Sequence, residues 1–337
     1  MSYVDLSQDT AAMRHIFLSL GLAAPAEDVH ATALAGGVSS GIYRVDLRSG
    51  TYCVKQALPK LKVAKEWLAP VERVFSEIAY LKTVDGIAPG HVPRVLGQDE
   101  DSKSFVMEFL GPEYRNWKAE LLAGRLDLGV AAAVGDLLGR VHQRTADDAD
   151  IACRFANDAS FHAIRLEPYL LETARVHPAL ADRLEHVVER TAETRRVLVH
   201  GDVSPKNILL GPSGPVLLDA ECAWFGDPAF DVAFCANHFV LKASHLPAHA
   251  PELLDAFDAF VEAYFLHVDW ESRMVLERRV ASLLPCLTLA RVDGKSPVEY
   301  LDEEQRDLVR TATIPLVVFP PPTPHEVAHY WRKELAA

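Results

Sequence analysis

Apolar and polar positions alternate in two different rhythms along this chain. Residues 5–20 carry a helical spacing, after which 31–35, 42–47 and 51–55 are short runs with strand character. A second helical stretch is expected over 70–83, with Val71, Val74, Phe75, Ile78 and Leu81 on one face. The strand-like runs 92–97 and 104–110 complete a small sheet. Beyond Arg115 the spacing becomes helical for long spans, at 128–144, 162–176, 178–194, 252–267 and 271–289. One strand-and-loop segment, 197–220, interrupts them. The pattern predicts an α+β chain: a strand-rich N-terminal lobe over 1–110 and a larger helical lobe over 111–337, without internal repeats.

With 337 residues, 49% hydrophobic and 24% charged, the chain has the composition of a folded globular protein rather than a disordered one. Lys and Arg number 34 against 47 Asp and Glu, a net charge of −13 that argues against nucleic acid or an anionic membrane as partner. Cys53, Cys153, Cys222, Cys235 and Cys286 are odd in number and show no metal-ligand spacing, so they read as small buried hydrophobes in a reducing compartment. No secretion signal is visible at the start. The longest uncharged stretch, Thr311 to Pro324, is broken by five prolines, so no membrane helix is expected. Cytoplasm is the default location.

Two stretches carry chemistry. Between the first two strands lies Gly36-Gly37-Val38-Ser39-Ser40-Gly41, which is either a plain hairpin turn or a turn whose free backbone N–H groups cradle a phosphate. The richer stretch runs from Val197 to Leu210 and on from Val216 to Ala233, concentrating polar residues between apolar strands. Phosphoryl transfer needs a carboxylate near the attacking hydroxyl and hard oxygen ligands for Mg²⁺. Asp202, five residues before Asn207, has the order of a base followed by a metal-binding amide. Asp219 follows the apolar run 216–218 and can present a carboxylate from a strand end. Glu221 points the same way if that strand continues. Two carboxylates and an amide suit Mg²⁺ better than Zn²⁺. Asp227 and Asp231, around Pro228, read as helix-start caps that brace this loop.

The ordered set His200-Gly201-Asp202, Asn207, then Asp219 and Glu221 resembles the aminoglycoside phosphotransferase and choline kinase superfamily. The resemblance implies a two-lobed protein-kinase-like fold that binds ATP and Mg²⁺ and phosphorylates a small-molecule hydroxyl. The N-terminal lobe is most similar to methylthioribose kinase, through segments 54–59, 66–70, 73–81, 88–96 and 107–112 and, just beyond, 121–124. It implies that Lys55 contacts the α and β phosphates with Glu77 as its ion-pair partner. Gly37, Ser39 and Ser40 would lie at the phosphates, and the carbonyl of Glu108 and the N–H of Leu110 at the adenine edge. The Glu108 side chain is expected in solvent or at a lobe contact. Asp202 would be the catalytic residue, Asn207, Asp219 and Glu221 the metal ligands, and His200 a support for the loop.

The acceptor half is less sharply written. Ser204-Pro205-Lys206-Asn207 and the 224–231 segment follow the broader superfamily pattern, and Arg278-Arg279 matches the substrate-side pair of methylthioribose kinase weakly. A polar turn over 291–297 is expected near the acceptor, with Trp224, His238 and Arg291 as acceptor contacts. The acceptor expected first is a sugar or polyol, methylthioribose-like compounds included. An aminoglycoside follows, then a choline-type amino alcohol. A catalytically dead nucleotide-binding module is opposed by the intact set Lys55, Asp202, Asn207 and Asp219. A protein kinase is opposed by HisGlyAsp in place of HisArgAsp and by the lack of AspPheGly and AlaProGlu.

Overall fold

The computed structural model describes residues 4–34, 39–60 and 70–336. Its contacts divide the chain into one unit of Met1–Glu113 and another of Tyr114–Ala337. The α+β class expected from the spacing is the one found: an antiparallel sheet dominates the first unit and helices the second.

In the first unit, α1 (Thr10–Ser19) starts where the Asp9 carboxylate accepts the N–H of Ala12. Strands β1 (Ala31–Ala33), β2 (Ser40–Leu47), β3 (Gly50–Ala57), β4 (Val95–Asp99) and β5 (Ser104–Glu108) pair in the order β1-β2-β3-β5-β4. From Tyr52 to Ala57 every residue of β3 is buried, so this central strand is covered on both faces. Tyr52 and Val54 join Met13, Ile16 and Phe17 of α1 in one core. By the two-residue period of a strand, Cys53 and Lys55 face the other way, where α2 (Arg73–Ile87) packs. The helix expected at 70–83 therefore starts and ends later. Its buried face is Val74, Glu77, Ile78, Leu81 and Val84, with Val71 and Phe75 only half-buried. Burial of the charged Glu77 is the reason: its partner Lys55 brings a position that hydrophobicity alone would assign to solvent into the interior.

Gln56 fastens the N-terminal segment to this sheet. Fully buried, it accepts the N–H of Leu6 at 3.0 Å and donates to Val4 O at 2.6 Å and Ser102 O at 2.7 Å.

In the second unit, helices α3 (Trp117–Leu122), α4 (Leu128–Thr145), α5 (Ala149–Arg154), α6 (Asp158–Phe161), α7 (Glu172–Val176) and α8 (Ala181–Glu193) come before the expected break and α9 (Pro228–His245) follows it. Further on lie α10 (Ala250–Phe265), α11 (Arg273–Asp293), α12 (Glu303–Val318) and α13 (Pro324–Glu334). Helix α9 is buried on every side from Pro228 to Ser244 and packs on α10 and α11. Helices α4 and α10 approach closely because Gly135 has no side chain. A Cβ there would lie 2.2 Å from Phe260 O. The single helix expected at 162–176 is instead π-wound over His162–Leu171 and α-helical only over α7. Pro168 sits inside the wide turn, where its missing N–H removes a normal helical bond. Within the break, β7 (Val197–Val199) pairs with β10 (Trp224–Gly226), and β6 (Arg115–Asn116), β8 (Ile208–Gly211) and β9 (Gly214–Leu217) form a second small sheet. Helix α11 continues to Asp293, so the polar turn expected at 291–297 begins only at Gly294. Among the described residues no helix is long and apolar enough to cross a membrane.

Replacing Gln56 by Leu strands three backbone groups inside the first unit. Urea unfolding should show that unit destabilised by about 1–3 kcal/mol, the cost of leaving buried polar groups unpaired.

Candidate functional site

Two loops of the second unit carry the sequence-predicted chemistry, 200–207 between β7 and β8 and 218–223 between β9 and β10. Two hydrogen bonds bind them together, and a third within the first loop orients one of the donors. The Asp202 N–H donates to His200 Nδ1 at 3.1 Å, so the buried imidazole is protonated on Nε2, which donates to Leu218 O at 3.1 Å. The Leu218 N–H donates to Asn207 O at 2.9 Å. The loop bearing Asp202 and Asn207 is thereby tied to the residue just before Asp219. Burial pushes the His200 imidazole below its ordinary value, against the pull of Asp231, Asp202 and Asp219, and keeps it neutral.

The floor of the loop is Asp231, fully buried on α9. Its carboxylate accepts the N–H groups of His200 at 2.7 Å and Gly201 at 2.8 Å. It also faces His142 Nε2 at 3.3 Å, while Tyr264 OH holds His142 Nδ1 at 2.9 Å. Asp231 therefore braces the loop rather than capping its own helix. Asp227 does cap α9, accepting from Ala229 N at 3.0 Å, and forms an ion pair with Arg279 at 3.1 Å. Arg279 also binds Glu271 at 2.7 Å, so the second arginine of the twin pair is occupied in a buried network. Gly201 has φ 78°, and a Cβ there would meet Cys222 Cβ and O at 2.8 Å, so the loop turns where no side chain fits.

Asp202 is 5% exposed, and its Oδ2 lies 3.1 Å from Arg165 Nη2 and 3.4 Å from Lys206 Nζ. Burial raises the Asp202 carboxyl, but Lys206 and Arg165 outweigh it and hold the group below the usual carboxylate range, against a raising push from Asp219. Arg165 comes from the π-wound turn and also donates to Gly201 O. Asn207 donates from Nδ2 to Asp202 O at 3.2 Å, which assigns its amide oxygen Oδ1 the acceptor role. Asp219 has φ 66°, the left-handed region that aspartate tolerates better than most residues. Here the expected continuation of the strand fails. Strand β9 ends at Leu217, and Ala220–Ala223 closes a turn through Ala223 N–H to Ala220 O. Glu221 is therefore half-buried in that turn instead of aligned with Asp219 on a strand.

Oxygen donors from Asn207 and Asp219 fit a hard cation such as Mg²⁺, which takes few protein ligands and completes its shell with phosphate and water. No group of three or more His, Cys, Asp or Glu able to hold a metal occurs among the described residues.

In the first unit Lys55 Nζ and Glu77 Oε1 are 2.7 Å apart, both side chains buried. Ser39 and Ser40 are buried at the start of β2, where Ser39 O accepts from Leu58 N at 2.9 Å and from Arg73 Nη2 at 2.5 Å. Gly37 lies outside the described residues. Glu108 ends β5, with Leu110 just beyond it. Its half-exposed carboxylate accepts the Arg94 N–H at 2.9 Å in a solvent-accessible bond. Four of the cysteines are buried as expected, but Cys153, at the end of α5, is exposed.

The three acceptor candidates divide. Trp224 is core: its indole N–H donates to Asp158 Oδ1 at 2.7 Å and its ring stacks on Phe161 at 4.2 Å. His238 and Arg291 are buried beside one another's charged neighbours. Arg165 was missed because it lies in a helix with no motif of its own. Lys206, four residues after Asp202, was legible from spacing and not assigned.

A model of the phosphotransferase enzyme family (APH) matches residues 30–275. Methylthioribose kinase of Klebsiella pneumoniae (strain 342) is 26% identical over 259 residues, covering 67% of this chain and 64% of that protein. Methylthioribose kinase 1 of Oryza sativa subsp. japonica is 22% identical over 246 residues, 64% of this chain and 56% of that protein. The chain thus spans less than two thirds of the length of these relatives. Among solved structures, a choline/ethanolamine kinase family protein from Mesorhizobium loti superposes with a TM-score of 0.54 at 14% identity, covering 97% of this chain and 99% of that one. Amicoumacin kinase hAmiN, in complex with AMP-PNP, Ca²⁺ and Ami, gives 0.53 at 14%, covering 94% and 96%. At such identities the likeness is one of fold, and it is the kinase-like fold that the motifs implied.

His200 is expected to stay neutral in the folded protein at its ordinary midpoint of pH 6.5. The unfolded chain binds more protons there, so this residue's contribution to stability falls as pH drops below that value. Nitrogen NMR of the imidazole should show the Nε2–H tautomer at pH 6.5, and an imidazolium signal there would contradict the hydrogen-bond assignment.

Proposed function

Because the chain belongs to the phosphotransferase enzyme family, we propose that it transfers the γ-phosphoryl group of ATP to a hydroxyl of a small molecule. The observation that carries this reading is the tie of the loop bearing Asp202 and Asn207 to Leu218, the residue before Asp219, through the neutral His200 and the Asn207 carbonyl. It supports a rigid arrangement of one carboxylate for the hydroxyl and two oxygen donors for a metal.

Asp202 is the catalytic residue. With Arg165 and Lys206 both on Oδ2, Oδ1 is the oxygen that accepts the acceptor's hydroxyl proton. A carboxylate held below its ordinary range is a weak base, so its main work is orienting the hydroxyl for in-line attack, with the proton taken late. Asn207 and Asp219 would hold Mg²⁺, which when bound neutralises charge on the phosphate oxygens. Glu221, set in the turn, adds to this region's negative charge. Lys55, fixed by Glu77, binds the α and β phosphates, and the backbone at Glu108 and Leu110 receives the adenine edge. Gly37, Ser39 and Ser40 complete the nucleotide contacts. The named relatives point to a sugar or polyol as acceptor.

Asp202→Ala and Asp219→Ala should each lower kcat by about 10²–10⁴-fold in a coupled ADP-release assay, with far-UV circular dichroism unchanged. Turnover near wild type in either purified variant would overturn the assignment. Lys55→Ala should raise the KM for ATP far more than the KM for the acceptor, a split that separates phosphate binding from a purely structural ion pair.

A further inference from the structure

The second unit holds a set of positive and polar groups that the chemistry above does not use. His238 and Lys242, one turn apart on α9, are 5% and 0% exposed. Both ring nitrogens of His238, Lys242 Nζ, Arg291 Nε and Tyr300 OH are buried without a hydrogen-bond partner. Lys242 Nζ and Lys118 Nζ lie over the Tyr300 ring, 5.3 and 5.9 Å from its centre. Arg291 Nη1 is 2.9 Å from Ser296 Oγ and 3.4 Å from Tyr169 OH. One carboxylate, Glu299, stands nearby, and Lys118 already binds it. Native interiors rarely leave so many polar atoms unpaired in one place, and an unpaired buried ammonium is among the most costly.

This cluster adjoins the catalytic loop. Arg165, which binds Asp202, lies 5.7 Å from the Tyr169 ring and 5.9 Å from the Phe234 ring. Arg291 lies 5.8 Å from the same Tyr169 ring, and the His238 ring 5.9 Å from that of Phe234. Burial and the cations Lys118 and Arg291 push Lys242 down to about 7. Burial, followed by Lys242, Arg291, Lys206 and Lys118, drives His238 well below its ordinary value. Water could satisfy the hydrogen bonds, but only an anion also supplies the missing counter-charge.

We propose that the acceptor is a hydroxylated small molecule carrying an anionic group, a carboxylate or a phosphate, seated on Lys242, His238, Arg291 and Tyr300. The proposal rests on the kinase reading and narrows it: a neutral thiosugar, an aminoglycoside or choline offers no counter-charge to Lys242 and Arg291, and the latter two are repelled by them.

The test is ADP release by the purified full chain with four acceptor groups. Gluconate and glycerate carry carboxylates, and ribose 5-phosphate and glycerol 3-phosphate carry phosphates. Ribose and methylthioribose are neutral, kanamycin and choline cationic. An anionic acceptor should give the highest kcat/KM, and whether carboxylates or phosphates lead identifies the group. Lys242→Met should raise the KM for that acceptor about 30-fold or more, the cost of truncating one partner of a buried charge pair. Lys242→Arg should recover part of it. Preference for neutral or cationic acceptors, or an unchanged KM in Lys242→Met, overturns the proposal. The same anions are also scored by thermal shift without ATP. If no acceptor releases ADP yet an anion raises Tm in wild type and not in Lys242→Met, the kinase reading fails and the anion site stands. If neither readout responds, the anion site fails as well. Lys242→Met replaces a buried, unpaired charge by an apolar chain of similar length, so the variant is expected to fold.

Discussion

The Asp231 carboxylate is the constraint on which the candidate site depends. Placing an ion in the first turn of a wholly buried helix is costly unless its oxygens are fully engaged. Here they receive the backbone N–H groups of His200 and Gly201 and the ring of His142. Those bonds fix the backbone immediately before Asp202 to a helix buried on every side. His200 then carries the same rigidity across to Leu218 and the turn beyond it. The chain of constraint runs from core packing, through a buried acid, to the two carboxylates that the chemistry requires.

Around that point the local field opposes the global one. The chain as a whole is acidic, yet Asp202 is bracketed by Arg165 and Lys206, and the next layer outward contains Lys242, Arg291 and Lys118. Net charge alone argues against an anionic partner. The placement of side chains in the second unit favours one, because short-range, poorly solvated charges outweigh distant screened ones.

Much of this was legible in the sequence, for identifiable reasons. The strand runs and long helices follow from periodicity, and the ordered set 200–207 and 219 follows from motif spacing. Elements went astray where a local exception overruled the pattern. A buried ion pair shifted the face of α2. Pro168 was accommodated by a π turn instead of ending a helix. The strand thought to reach Glu221 stops at Leu217 because Asp219 adopts a left-handed backbone. Arg165 could not be read at all, since its role arises from tertiary proximity to Gly201 and Asp202. Gln56 was equally silent: a polar residue in a strand reads as solvent-facing until its three backbone partners are seen.

The distribution of thiols gives the molecule a built-in reporter of its own opening. Cys153 alone is accessible in the native state, whereas Cys53 is enclosed in the first unit and Cys222, Cys235 and Cys286 in the second. Burial suppresses ionisation of those four. A brief pulse of maleimide therefore adds a single mass to the folded chain. One further adduct marks melting of the sheet unit and three mark melting of the helical unit, so intact-mass spectra along a denaturant series resolve the order in which the two halves come apart.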